Sequence, residues 1–490
     1  MNVMRNYIIL LIAGMLFAAC SQKVENAQQQ NAVPQIYPDY VGVTVPVGIA
    51  PLNFCPASED VECLDVIVKG SKGGELHVQG DYADFDEDEW HSLLEQNKGG
   101  KLSVTVCALE QGVWKQYKEF PIYVSNADLD EWGLTYRRIA PGYEVYSHMG
   151  LYQRELSTFN EYEIMDNNRI PGGCVNCHTS NRTNPKQFLF HVRGANGSTA
   201  IQIDGNMEQL NTKTDKTLGS CVYPYWHPEG RYVAFSTNTT RQEFHVVKDE
   251  RIEVFDFESD LQIYDTQKHE LIISPLITNP DQNETFPAFS PDGKTVYFCT
   301  TQKREYPAET RNVRYNLCSI GFDAEKGVWG DSIRMVLDVE KDSMSISIPK
   351  PSYDGKWIMY TLADYGTFPI WHKEADLWLL NTETGETRPL TEVNSDDTES
   401  YHNWSDNSRW FVFSSRRGDG LYTRLYISSI DENGKCTKPF LLPQKNPKEY
   451  YERLMYSYNV PDFTKTRVDI NSRKAAGDIL SDERQSLTVR

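Results

Sequence analysis

The chain has 490 residues, of which 39% are hydrophobic and 12% aromatic, including 28 Tyr and 10 Trp. That length exceeds one ordinary compact domain, and the aromatic content suits strands, whose pleated surfaces pack large rings. With 49 Lys and Arg against 69 Asp and Glu, the net charge of −20 argues against nucleic acid or an anionic membrane face as a partner.

Taken in chain order, Arg5 precedes the apolar run "YIILLIAGMLF" and then "AAC". The run is too short for an ordinary membrane-spanning helix and suits a secretory signal. The small residues before Cys20 resemble a bacterial lipobox. That resemblance implies a lipoprotein signal over 1–20, lipidation of Cys20, and a lipid-anchored place in the cell envelope, periplasmic or outer membrane; a plain signal peptide cut near Ala19 is the alternative. Residues 21–36, Gln-rich and polar, read as a flexible tether. From 37 to 130 the alternation in "LDVIVKG", "ELHVQG" and "KLSVTVCAL" predicts a small β-rich, sandwich-like domain. One acidic helix, "DFDEDEWHSLLEQN", interrupts it, its Asp residues suited to a helix N-terminus. Cys55 and Cys63 are either a disulfide or two separate thiols.

Beyond residue 200 one pattern recurs. "YPYWHPEGRYVAF" (223–235), "FPAFSPDGKTVYF" (286–298), "IPKPSYDGKWIMY" (348–360) and "YHNWSDNSRWFVF" (401–413) share an aromatic or aliphatic residue, usually Pro, a tight turn and an alternating strand. Pro presets φ and Gly accepts positive φ in such a turn. Second strands follow, as in "DLQIYDTQKHE" and "ADLWLLNTETGE". These copies resemble the TolB-type β-propeller repeat, with "SDNSRW" departing from the Pro-Asp-Gly turn. Segments 186–206 and 134–156 look like degenerate copies. The resemblance implies an all-β fold: a TolB-like, WD40-like β-propeller of about six blades over 131–445, closed by "RLMYSYNVPDF" within a segment 446–490 that ends as a polar tail.

Inside that region lies "IPGGCVNCHTSN". Cys-x-x-Cys-His is the attachment signature of a c-type haem: two thiols add to the vinyl groups across one helical turn, and the histidine ligates iron. Cys174 and Cys177 would hold one covalent haem c, with His178 as the proximal iron ligand, in an insertion at 166–185. Met149 and His191 are the candidate distal ligands, His148 and Met165 weaker ones, and an open position is the third option. Half a zinc site, a thioredoxin-like redox pair or a structural disulfide are the competing readings; no second pair at zinc spacing and no βαβ context is present nearby.

Together, "GYEVYSHMGLYQREL", "CVNCHTS", "FLFHVRGANG" and the repeat turns resemble Bacteroidetes-type exported lipoproteins that join a TolB-like propeller to a short haem-binding insertion. The resemblance implies electron transfer through the haem iron, with the propeller docking a redox or envelope protein partner. The alternatives are a haem-free propeller scaffold for envelope protein interactions, and an enzyme using an open haem or the propeller channel. No nucleophile elbow, phosphate loop or zinc-protease motif designates catalytic residues. His227, His372 and His402 sit at or near repeat motifs, as bracing residues or as a converging metal site. Cys299 and Cys318 fall on neighbouring strands.

Overall fold

The computed structural model describes residues 23–140, 148–244, 252–481 and 483–490. The signal segment, Cys20 and all of "GYEVYS" lie outside the described residues. The chain divides into two compact units. No described helix is long and apolar enough to cross a membrane.

The smaller unit comprises residues up to Gly42, then Pro51–Val124 and Pro443–Tyr451. Its main sheet runs in the order Gln28–Gln29, Val113–Gln116, Lys101–Glu110, Val61–Gly70, Glu75–Gly80, with Phe120–Val124 also on Lys101–Glu110. A second, two-stranded sheet pairs Ile36–Tyr37 with Cys55–Pro56, giving the sandwich-like module. The helix is Glu87–Gln96, one turn shorter at its start than the acidic run suggests. Asp86 caps it by accepting from the Asp88 and Glu89 amides, and Trp90, Leu93 and Leu94 face the core, where Trp90 stacks on Phe85. The segment 21–36 is not wholly a tether, because Gln28–Gln29 pairs in parallel with Lys115–Gln116. Residues 443–451 return to this unit; Lys445 offers its carbonyl to Asn53 at 2.8 Å. Cys55 and Cys63 are unbridged, each beside its own acceptor, Asn446 Oδ1 and the Leu64 carbonyl.

The larger unit is a six-bladed β-propeller. Blade 1 takes its inner strand, Ser457–Thr464, from near the C-terminus and pairs it with Gly133–Ile139, so the last strand closes the ring. The other inner strands are Cys174–Asn181, Cys221–Trp226, Gln282–Phe289, Ser345–Pro351 and Glu399–Trp404, for blades 2 to 6. Neighbouring inner strands touch all the way round, including Ser457–Thr464 against Cys174–Asn181. Residues 166–185 are therefore no insertion: most of them are the start of an ordinary blade. Tryptophans tie blades together. Trp404 Nε1 donates to the Lys350 carbonyl at 2.9 Å, and Trp226 Nε1 to the Thr179 carbonyl at 3.4 Å.

The tight turns share one hydrogen-bond plan. In blade 4 the Ser290 hydroxyl donates to Asp292 at 2.6 Å and accepts from the Thr295 amide, with Gly293 at φ +71°. Blade 5 repeats it with Ser352, Asp354 and Gly355. Blade 6 keeps the plan with Asn407 in place of Asp and Ser408 at φ +57° in place of Gly, so "SDNSRW" is a conserved geometry in different residues.

The C-terminus is not a free polar tail. Asn471 caps the helix Ser472–Leu480, which buries Ala475, Ala476 and Ile479 in the core shared by blades 1 and 2. Gln485–Ser486 then adds in parallel to the outer strand of blade 2, and Thr488–Val489 to that of blade 3. Leu487 and Val489 pack between those blades. Outer edges otherwise leave unpaired backbone groups, which this strap covers. Deleting residues 483–490 is expected to lower the melting temperature by about 2–6 °C by differential scanning fluorimetry, with the β-rich circular dichroism spectrum retained.

Candidate functional site

Each inner strand carries a bulge that sets two residues against one on the next strand, and this pair occupies the same place in every blade. The pairs are Cys177–His178, Tyr223–Pro224, Phe286–Pro287, Ile348–Pro349, Tyr401–His402 and Val460–Pro461, falling where the ladder register shifts. The first residue of each has a left-handed φ between +46° (Tyr401) and +53° (Cys177, Val460). For β-branched Ile348 and Val460 that conformation is strained, about 1–3 kcal/mol each. A bulge leaves a residue unpaired, which explains why Pro is tolerated at the second place in four blades. All twelve residues line one cavity of about 360 Å³ on the ring axis. The Cys-His of the haem signature thus occupies the repeat position that reads Tyr-Pro, Phe-Pro, Ile-Pro, Tyr-His or Val-Pro elsewhere.

The cavity wall mixes aromatic rings with charge. Tyr223 and Phe286 lie 4.5 Å apart, and Phe368 stands 6.3 Å from Tyr401. Arg137, Arg193 and Lys350 line it, with Asp462 as its one carboxylate among the described residues. Asp462 accepts from the Ser180 amide at 2.9 Å and from Asn403 Nδ2 at 2.7 Å, clasping blades 1, 2 and 6. Burial nonetheless pushes its carboxyl up to about 7. Sequence reading missed these four. Lys350 and Asp462 were findable, since each follows a bulge dipeptide; Arg137 and Arg193 sit on second strands and carry no motif.

The cysteines and their candidate partners divide. Cys177 and His178 line the cavity and so does Met149, whereas Cys174 does not. The backbone over Cys174–Asn181 is a strand with a bulge, not the helical turn expected of the motif. Cys174 is buried and its sulfur accepts from Asn176 Nδ2 at 3.3 Å. Attachment at both cysteines needs both thiols at one macrocycle; only Cys177 of the two lines the cavity, so the strand as folded does not fit double attachment. Burial pushes the His178 imidazole down to about 3, keeping it neutral. The Thr135 backbone stands beside it, yet neither ring nitrogen closes a hydrogen bond of good geometry. His191 lies away from the cavity, buried, with Nδ1 3.3 Å from Thr199 Oγ1. His148 pairs with Asp166 at 3.1 Å, and Met165 is core.

The other histidines do not converge. No group of three or more metal-ligating side chains occurs among the described residues. His227 packs edge-on against Phe289, and its Nδ1 accepts from the Glu229 amide. His402 Nε2 donates to the Met359 carbonyl at 2.9 Å. Cys299 and Cys318 are unbridged; Cys318 pairs with Phe298, so the two thiols face opposite sides of the blade and join different cores. His372 anchors a longer feature. Blade 3 extends its middle strands, Tyr232–Phe244 and Ile252–Asp265, and Thr240, Gln242 and Val254 of that hairpin line the cavity. Towards its turn end Glu253 accepts from Tyr365 at 2.9 Å and faces His372 Nε2 at 3.5 Å, while Glu374 faces Nδ1 at 3.3 Å.

No protein-family model matches the chain, and no curated protein matches it. Solved structures match in fold only. They include an oligogalacturonate lyase in complex with manganese, at 12% identity and TM-score 0.35, over 63% of this chain and 72% of that one. A prolyl oligopeptidase B from Galerina marginata gives 12% and 0.36, over 79% of this chain and 53% of that one. A periplasmic gluconolactonase of Pseudomonas aeruginosa gives 12% and 0.34, over 68% and 99%.

Burial alone would lower the His372 imidazole, but Glu253 and Glu374 outweigh it and raise it to about 9. A raised histidine stabilises the fold fully below its unfolded value near 6.5 and loses that contribution as pH rises through about 9. His372→Gln is therefore expected to cost about 3 kcal/mol at pH 6, the gap from wild type closing between about pH 7 and 10 in urea melts taken across that range.

Proposed function

We propose that the chain is an exported, lipid-anchored envelope protein whose propeller is a recognition module, binding its ligand or partner group at the axial cavity without performing catalysis. The observation that carries this reading is the convergence of all six strained bulges on one cavity. Strain at six equivalent positions persists only where the surrounding packing holds it, and such positions cluster at ligand-binding sites. A ring of inner strands also presents its axis without moving parts, which lowers the ordering cost of binding. Anchoring through Cys20 and export rest on the sequence of the first twenty residues.

A second reading, electron transfer through a covalently held haem c, is favoured by one observation: Cys177, His178 and Met149 share the cavity, and the His178 nitrogens lack well-formed hydrogen bonds. Bound there, haem would supply one-electron chemistry. His178 and Met149 would hold its iron, Cys177 would attach it, and Cys174 would have to leave its contact with Asn176.

Purification from an exporting host that attaches haem separates the two. The recognition reading expects a colourless protein whose denatured mass equals the lipidated polypeptide; a sharp absorption band on reduction, with added haem mass, overturns it. Cys177→Tyr reproduces the Tyr-His dipeptide of blade 6. It is expected to leave the melting temperature within about 3 °C of wild type while narrowing the cavity, so ligand retained by wild type in native mass spectra is lost.

A further inference from the structure

The chemistry of the ligand can be read from the imbalance of charge on the axis, given the recognition reading above. A chain of net charge −20 lines this cavity, among the described residues, with three cations and one carboxylate. Asp462 is already held by the Ser180 amide and the Asn403 amide group. Lys350 has its ammonium 4.9 Å from the centre of the Tyr225 ring, and it forms no ion pair among the described residues; burial lowers its affinity for the proton. Arg137 likewise forms no ion pair among the described residues, and its Nε is buried without a hydrogen-bond partner. Arg193 stands close enough to act with Arg137 on the same thiol, Cys174, both easing its ionisation against burial. Half-buried Arg137 and Lys350 favour an anion beside them, and guanidinium groups match carboxylates in two-point geometry.

The rest of the wall describes the body of that anion. Tyr223 and Phe286 offer ring faces within the same cavity. Asn176 donates its Nδ2 to Cys174, while its buried Oδ1 has no partner and calls for a donor on the ligand. We propose that the axial cavity binds a small organic acid with a flat ring, its carboxylate held by Arg137 and Arg193 and its ring against the aromatic wall.

The test uses 4-bromobenzoate and its neutral isostere 4-bromobenzamide on the wild-type chain, by calorimetry and by crystal soaking at millimolar concentration, with bromine located from its anomalous signal. The acid is expected in the cavity, carboxylate towards Arg137 and Arg193, binding about tenfold or more tightly than the amide. Arg137→Met is expected to remove that preference, with circular dichroism and melting temperature confirming the fold. Equal binding of acid and amide in the cavity overturns the anion assignment and leaves axial recognition standing. Absence of both from the cavity overturns both. Bromine found only on the outer surface counts as an adventitious additive only, and overturns both as well.

Discussion

The six bulges are the constraint on which the rest depends. A regular strand turns successive side chains to opposite faces, so an unbroken inner strand would send only alternate residues to the axis. The bulge in each blade, with its one extra residue, brings two consecutive residues to the cavity wall at the cost of a left-handed residue. Cavity, aromatic wall and cation cluster all follow from that one repeated irregularity. Because the second bulge residue need not donate to the ladder, evolution is free to place Pro, or a functional side chain, at that point.

Closure of the ring is the second dependency. Blade 1 is assembled from both ends of the propeller sequence, and Asp462 on its inner strand reaches amides of blades 2 and 6. The clasp lies beside the cavity, so its environment couples ring integrity to the charge on the axis. An anion near Arg137, Arg193 and Lys350 would favour the protonated form of Lys350 in a space that also contains a carboxyl raised to about 7. Binding and ring stability are thus electrostatically linked, because whatever binds the native ring alone also stabilises it.

Much of this was legible in the sequence. The repeat "aromatic-Pro" with its Ser-x-Asp-Gly turn gave the fold, the blade number and the closing strand, since turn chemistry and alternation are local properties. Four things were not legible. "SDNSRW" looks degenerate because Asn and Ser replace Asp and Gly, although both can make the same hydrogen bonds and adopt the same dihedral angles. "SLTVR" looks like a tail because two-residue strands carry no period; only the exposed edges of blades 2 and 3 give them a partner. The cations Arg137 and Arg193 come together through the topology of blades 1 and 2 and through nothing in their neighbours along the chain. The pentapeptide "CVNCH" was the hardest, for a strong motif masked a repeat position.

That repeat position also explains why a histidine stands there at all. His402 occupies the second bulge place in blade 6 and donates to the carbonyl of Met359, on the second strand of the preceding blade. Met359 pairs with Lys350, the residue after its own bulge; in blade 1 the residue after the bulge is Asp462, and it pairs with Thr135. Thr135 is therefore to His178 what Met359 is to His402, and its backbone is the neighbour beside the His178 ring. A neutral imidazole bracing one blade against the previous one accounts for both histidines by the same geometry, one bond closed and the other slightly open. What distinguishes blade 2 is then not its histidine but the small Cys177, where Tyr223, Phe286 and Tyr401 carry rings. The missing ring opens the cavity on the side where Arg137 and Arg193 stand. On the proposed reading, Cys177, the smallest of the six first bulge residues, leaves room for a ligand beside Arg137 and Arg193.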